Sequence, residues 1–201
     1  LGTSVLVLPM RHPLPLAKEL ATLHNFSEGR LILGAGVGWL EPEFAALGVP
    51  FNERGRRLDE GLAMMRAVWT NDPVTFQSRH IPGVIEGMSM TPAPISPIPL
   101  WFGGSSAPAL RRTIRMGDGW HGSGHTAAEA APIVAQLRAA RPGADFTVSM
   151  RVAWNGRDRA VLRDLVGSHA AIGVQHLLIA PVDRNVDDWD AVIEGAGALV
   201  G

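Results

Sequence analysis

The chain has 201 residues, 46% of them hydrophobic and 18% charged, and its 18 basic and 19 acidic side chains leave a formal net charge of −1. That balance supports a sizeable core and sets up no field that would gather nucleic acid or an anionic membrane surface, so neither is expected as a partner. The absence of cysteine excludes disulfides, thiolate metal sites and cysteine nucleophiles. No apolar run of about 18 residues and no basic-then-apolar leader is seen, so neither a membrane span nor a signal peptide is expected, and the cytoplasm is the default location.

Two periodicities alternate along the chain. Residues 1–8 (LGTSVLVL) form a short apolar, β-branched run, and residues 14–23 then place Leu16, Leu20 and Leu23 at helical spacing. A second apolar run at 30–35 is followed by a helical pattern over 57–69, in which Leu58, Leu62, Met65 and Trp69 recur at four, three and four residues. The proline-rich TPAPISPIP (91–99) suits neither a helix interior nor a central strand. LWFGG then opens a third unit whose helix covers 108–116, and DGWHGS opens a fourth, whose helix runs from Thr126 to Arg138 behind the capping box Thr126-x-x-Glu129. Residues 145–154 and 175–181 read as fifth and sixth strands, the last helix covering 189–200. Regular strand–helix alternation predicts parallel strands in one domain, as an open doubly wound sheet or a closed barrel.

Glycines and polar groups collect at the strand ends, the edge that holds ligands in either architecture. In WFGGSSAP, Gly103 and Gly104 let backbone approach a ligand, Ser105 and Ser106 offer hydroxyls, and the following helix presents free N–H groups. Those features suit a phosphate, with Ser106 as N-cap and Pro108 in the first turn. A plain capped strand–helix turn would use the same residues. GAGVG (34–38) is a second glycine-rich strand end, without the spacing of a dinucleotide or Walker loop.

Arg11 and His12 either meet an anionic tail or shape the turn RHPLP, and the mixed-charge run 53–60 reads as a solvated helix start with weak surface pairs. His121 at a strand end is a candidate for proton transfer or a polar wall. His24, His125, His169 and His176 lack the spacing of a metal site, and no metal is expected. Six tryptophans without tyrosine suggest apolar pocket walls.

Four blocks, LGTSVLVLPMRHPLPLAKELATL, GRLILGAGVGW, EFAALGVPFNERGRRLDEGLAMMRAVW and IPLWFGGSSAPALRRTIRMGDGWHG, resemble in order and spacing the bacterial luciferase-like monooxygenase superfamily, and more narrowly its deazaflavin (F-420)-dependent branch. The resemblance is strong over 1–122 and weaker beyond. It implies a (β/α)8 TIM-barrel fold, with 1–201 as one domain, residues 1–8 as the third barrel strand, the first two strand–helix units lacking from this chain, and an insertion at 76–99. It implies an oxidoreductase that uses a deazaflavin coenzyme for hydride transfer to or from a small organic substrate, the alternatives being a reduced-FMN monooxygenase and a non-catalytic remnant barrel. It places Thr3, Ser4 and Val5 at a non-proline cis bulge against the cofactor ring, with Gly36 and Gly38 at the mouth. Gly103, Gly104, Ser105 and Ser106 would hold the cofactor phosphate, joined by backbone near Gly119 and Trp120. Trp39 stands where some deazaflavin enzymes carry a glutamate proton donor, which leaves Trp39 and His121 as weak catalytic candidates. The family resemblance also implies a homodimer.

Overall fold

The computed structural model describes residues 1–143, 145–182 and 186–200, without the side chains of 186–188 and 198–200. The residues group into two compact units, Leu1–Leu100 and Trp101–Gly201.

In the first unit, strand β1 (Leu6–Val7) pairs in parallel with β2 (Leu33–Gly36), Leu6 facing Ala35 and Val7 facing Gly36. The strand expected over residues 1–8 is therefore shorter than its apolar run. Gly2 makes only an isolated bridge to Ile32, and a 3-10 turn begins at Leu8. Helix α1 (Pro13–Phe26) buries Leu16, Ala17, Leu20 and Ala21; Leu16 and Leu20 follow the expected spacing, whereas Leu23, expected with them, is 50% exposed. After the short α2 (Glu41–Ala46), α3 (Arg54–Thr70) buries Leu58, Leu62, Met65 and Val68. The indole N–H of Trp69 donates to the Ala17 carbonyl at 3.0 Å and ties α3 to α1. An antiparallel hairpin, β3 (Val74–Gln77) and β4 (Val84–Met88), begins two residues before the expected insertion and runs into it, with a register irregularity between Val74 and Phe76. The proline-rich segment after it has no regular structure. It is fastened by Asn25, whose side chain donates to Ala93 O and accepts from Ile95 N.

In the second unit, β5 (Leu100–Gly103), β6 (Gly119–Ser123), β7 (Thr147–Trp154) and β8 (His176–Pro181) are parallel neighbours in that order from Trp101 onward. Helices α4 (Ala107–Met116), α5 (Ala127–Ala140), α6 (Arg159–Ala171) and α7 (Val186–Val200) alternate with them. Trp120, Val148, Met150 and Val152 form one core cluster with Val134 and Leu137 of α5. Strand alternation turns His121, Ser149 and Arg151 to the opposite face. The capping box is formed: the Thr126 hydroxyl accepts from Glu129 N–H, and the Glu129 carboxylate accepts from Thr126 N–H at 2.8 Å. Hydrogen bonds from the Thr126 N–H and hydroxyl also hold the Glu129 carboxyl below its ordinary value.

Candidate functional site

The candidate residues form two clusters, one in each unit. In the first, Thr3 donates its hydroxyl to the Gly34 carbonyl at 2.8 Å, and its N–H bonds Ile32 O at 3.3 Å. The Ser4–Val5 peptide is cis, at the position expected from the resemblance. The glycines of GAGVG have a packing reason. A Cβ at Gly34 would lie 1.8 Å from the Thr3 carbonyl oxygen, and one at Gly36 would lie 2.7 Å from Val5 Cγ2. Gly38 has φ +79°, and a side chain there would meet Phe44 and Val7. Trp39, just beyond, is 82% exposed.

In the second unit, β5 ends at Gly103, and Gly104 turns the chain with φ +94°, a conformation that only glycine adopts without strain. The Gly104 carbonyl accepts the indole N–H of buried Trp120 at 2.9 Å. Gly119 is dictated by its neighbours, since a Cβ would fall 2.6 Å from Trp101 and 2.7 Å from the Thr147 carbonyl. Ser105 and Ser106 are exposed. Ser106 occupies the N-cap position of α4, but its hydroxyl makes no capping bond, which corrects the expectation that it caps the helix. Its φ and ψ of −67° and 152° are those of an N-cap, so the backbone geometry is right and only the side-chain bond is missing. The first turn of α4 thus keeps donors that no cap side chain satisfies.

His121 is 4% exposed, and its Nδ1 lies 2.8 Å from the hydroxyl oxygen of Ser149, which in turn lies 2.8 Å from Nδ1 of His176. Burial, then the neighbouring His176, then Arg151 push the His121 imidazole down to about 4, so it is neutral at physiological pH. His176 is exposed and packs edge-on against Trp101 at 5.3 Å. Sequence reasoning singled out His121 and missed Ser149 and His176 as its partners. The available signal was the alternation of Thr147, Ser149, Arg151 and Ala153 with Val148, Met150, Val152 and Trp154, which marks one face of β7 as polar.

Other charged candidates have structural roles. Nδ1 of His12 accepts from Leu14 N–H at 3.3 Å and so caps α1, the turn reading of RHPLP. The run 53–60 is not a solvated helix start. The Glu60 carboxylate accepts from the Ser78 hydroxyl and from the N–H groups of Arg79 and His80, both at 2.9 Å, while Arg57 donates to the carbonyls of Pro9 and His80. His80 lies 3.3 Å from Glu53 and 3.7 Å from Glu60. Burial pushes the Glu60 carboxyl up, but the bonds from Ser78, His80 and Arg79 outweigh it and hold the group below its ordinary value. No group of three or more metal-ligating side chains occurs among the described residues.

Residues 1–195 match the family model of the luciferase-like monooxygenases, and the chain belongs to that family. An uncharacterised Mycobacterium tuberculosis protein is 32% identical over 206 residues, a match covering 98% of this chain and 69% of the relative. Another from the same organism is 40% identical over 121 residues, or 60% of this chain and 41% of the relative, so the chain matches well under half of that protein's length. The F420-dependent glucose-6-phosphate dehydrogenase of Beutenbergia cavernae is 36% identical over 124 residues, covering 60% of this chain and 36% of the enzyme. Among solved structures, an F420-dependent secondary alcohol dehydrogenase in complex with an F420–acetone adduct aligns with a TM-score of 0.74 at 15% identity, over 97% of this chain and 77% of that one. The oxygenating constituent of 3,6-diketocamphane monooxygenase from Pseudomonas putida, in complex with FMN, aligns at 0.62 with 16% identity, over 98% and 68%. These likenesses place the fold as mixed α/β with parallel strands, of the TIM-barrel type.

Proposed function

We propose that this chain is part of a deazaflavin-dependent oxidoreductase that moves a hydride between the coenzyme and a small organic substrate. The observation that carries the reading is the 36% identity over 124 residues to an F420-dependent dehydrogenase. When bound, the deazaflavin supplies the hydride donor or acceptor, and the protein supplies anchoring and orientation.

The second unit fits an anionic group. Gly104 brings backbone into the open, the exposed hydroxyls of Ser105 and Ser106 are not used by the helix, and α4 offers free N–H groups at its positive end. Gly103, Gly104, Ser105 and Ser106, with backbone near Gly119 and Trp120, are therefore assigned to the coenzyme phosphate. The resemblance assigns Thr3, Ser4, Val5, Gly36 and Gly38 to the ring. Trp39 in place of an acid argues against oxidation of a sugar phosphate by the route that uses a glutamate at that position. A homodimer acting on a small molecule in the cytoplasm is part of the same reading, and no helix among the described residues is long and apolar enough to cross a membrane.

The second reading, a reduced-FMN monooxygenase, is favoured by the FMN-bound neighbour of the same fold. A spectral titration of the purified protein with F420 and with FMN separates the two: tight binding of FMN and none of F420 would overturn the first. Binding of neither would leave the non-catalytic alternative. Ser105→Ala tests the anchoring group. It is expected to weaken coenzyme binding by about tenfold, the loss of one hydrogen bond to a charged acceptor, while the thermal midpoint stays unchanged. Unchanged affinity would return Ser105 to the role of a turn residue.

A further inference from the structure

We propose that His176, Ser149 and His121 form a proton relay across β8, β7 and β6. The inference rests on the hydride-transfer reading only for the identity of the final proton acceptor; the relay itself stands on the geometry of the second unit.

A serine hydroxyl has one proton, and here it stands 2.8 Å from two Nδ1 atoms. It can donate to one imidazole while accepting from the other, so the two rings cannot choose their tautomers independently. The ends of the chain differ. His121 and Ser149 are buried, at 4% and 0% exposure, whereas His176 is exposed. Among the groups that act on His121, His176 and Arg151 both disfavour a second positive charge on it. Protonation at His176 therefore fixes the direction of both bonds: Nδ1–H of His176 donates to Ser149, Ser149 donates to Nδ1 of His121, and His121 carries its proton on Nε2.

Transfer then balances without forming a buried ion pair. A proton is taken up at Nε2 of His176, the Nδ1 proton of His176 moves to Ser149 Oγ as the serine proton moves to Nδ1 of His121, and Nε2 of His121 gives up its proton. One proton enters and one leaves. His121 faces Gly103 across the β5–β6 ladder, beside the strand end assigned to the coenzyme phosphate. Were a carbonyl substrate reduced with a deazaflavin held there, its oxygen would need a proton, and the relay would be a source for it.

The relay is read directly from histidine side-chain nitrogen shifts of the 15N-labelled chain across a pH series. His121 is expected to hold its proton on Nε2 when Ser149 donates to it, to remain neutral down to about pH 4, and to show nitrogen shifts that change together with those of His176. In Ser149→Ala the charge of one ring still acts on the other, but the position of the proton on His121 should no longer depend on that of His176, and Ser149→Thr should restore the dependence. His176→Gln, which removes the imidazole from one end of the relay and spares the core, should leave the His121 nitrogens flat over the same range. Nitrogen shifts of His121 that ignore His176 in the parent protein, or a His121 proton position that still depends on His176 in Ser149→Ala, would overturn the relay. With F420 bound, Ser149→Ala should slow carbonyl reduction by about 10²-fold, with Ser149→Thr recovering most of the rate. Full activity in Ser149→Ala would overturn the link to catalysis. Failure to bind F420 would sink the coenzyme reading and leave the nitrogen-shift result to decide the relay.

Discussion

The starts of α3 and α4 both gather polar side chains, and they use them in opposite ways. At α3, Glu60 accepts three bonds from residues 78–80 and Arg57 donates to two carbonyls, so these groups are answered by the hairpin loop or by Pro9. At α4, the hydroxyls of Ser105 and Ser106 stand exposed beside a helix start that no side chain caps. By sequence the α3 cluster reads as a solvated surface, yet it is structural; the α4 cluster reads as suited to a phosphate with Ser106 as cap, yet the Ser106 hydroxyl makes no capping bond. Charge density alone misleads here, and the useful question is whether a polar group already has its partner within the fold.

The sharpest way to break this contrast is Glu60→Ala, which leaves Ser78, Arg79 and His80 without their acceptor. A loss of about 1.5–3 kcal/mol is expected in urea unfolding, the range for bonds to a charged group. A change within about 0.5 kcal/mol would mean that the clamp is decorative. The same carboxylate predicts acid sensitivity. Its value is lowered in the folded chain, so its contribution is complete above the unfolded value of about 4.3 and is lost as pH falls through the lower, folded value. Urea midpoints of the parent should therefore drop more steeply over that acidic range than those of Glu60→Gln.

Smaller effects sharpen the α4 side. Thr126→Ala removes the hydroxyl that accepts from Glu129 N–H in a formed capping box and should cost about 1 kcal/mol of stability. Ser106→Ala removes a hydroxyl that makes no capping bond, and should change the thermal midpoint by less than the equivalent of about 0.5 kcal/mol. Equal losses in the two variants would show that Ser106 does cap its helix in solution, and would weaken the case for an anion there.

What was legible in the sequence were the features that short segments determine. The capping box at Thr126 needs four residues, and the burial of Leu16 and Leu20 in α1 follows from helical spacing, although the same spacing also picks out Leu23, which is exposed. The glycine-rich strand ends were visible too, although their reason was not: Gly34 and Gly119 are glycine because a neighbouring carbonyl leaves no room, which depends on strand pairing far along the chain. The clamp at Glu60 joins residues 18 to 20 positions apart through a hairpin whose register had to be known first. His121, Ser149 and His176 meet only because three strands align side by side, so the alternation along β7 marks the face of Ser149 but not its partners.

Trp120 joins the core to the turn after β5, since its ring is fully buried and its indole N–H is held by the Gly104 carbonyl at 2.9 Å. That bond makes the residue a built-in spectroscopic reporter. An indole sealed from water emits to the blue of exposed ones such as Trp39, and its emission responds when its N–H partner shifts. An anion that settles beside Gly104 and moves that carbonyl would be visible as a change in the blue component of tryptophan fluorescence, without any label and before any chemistry occurs.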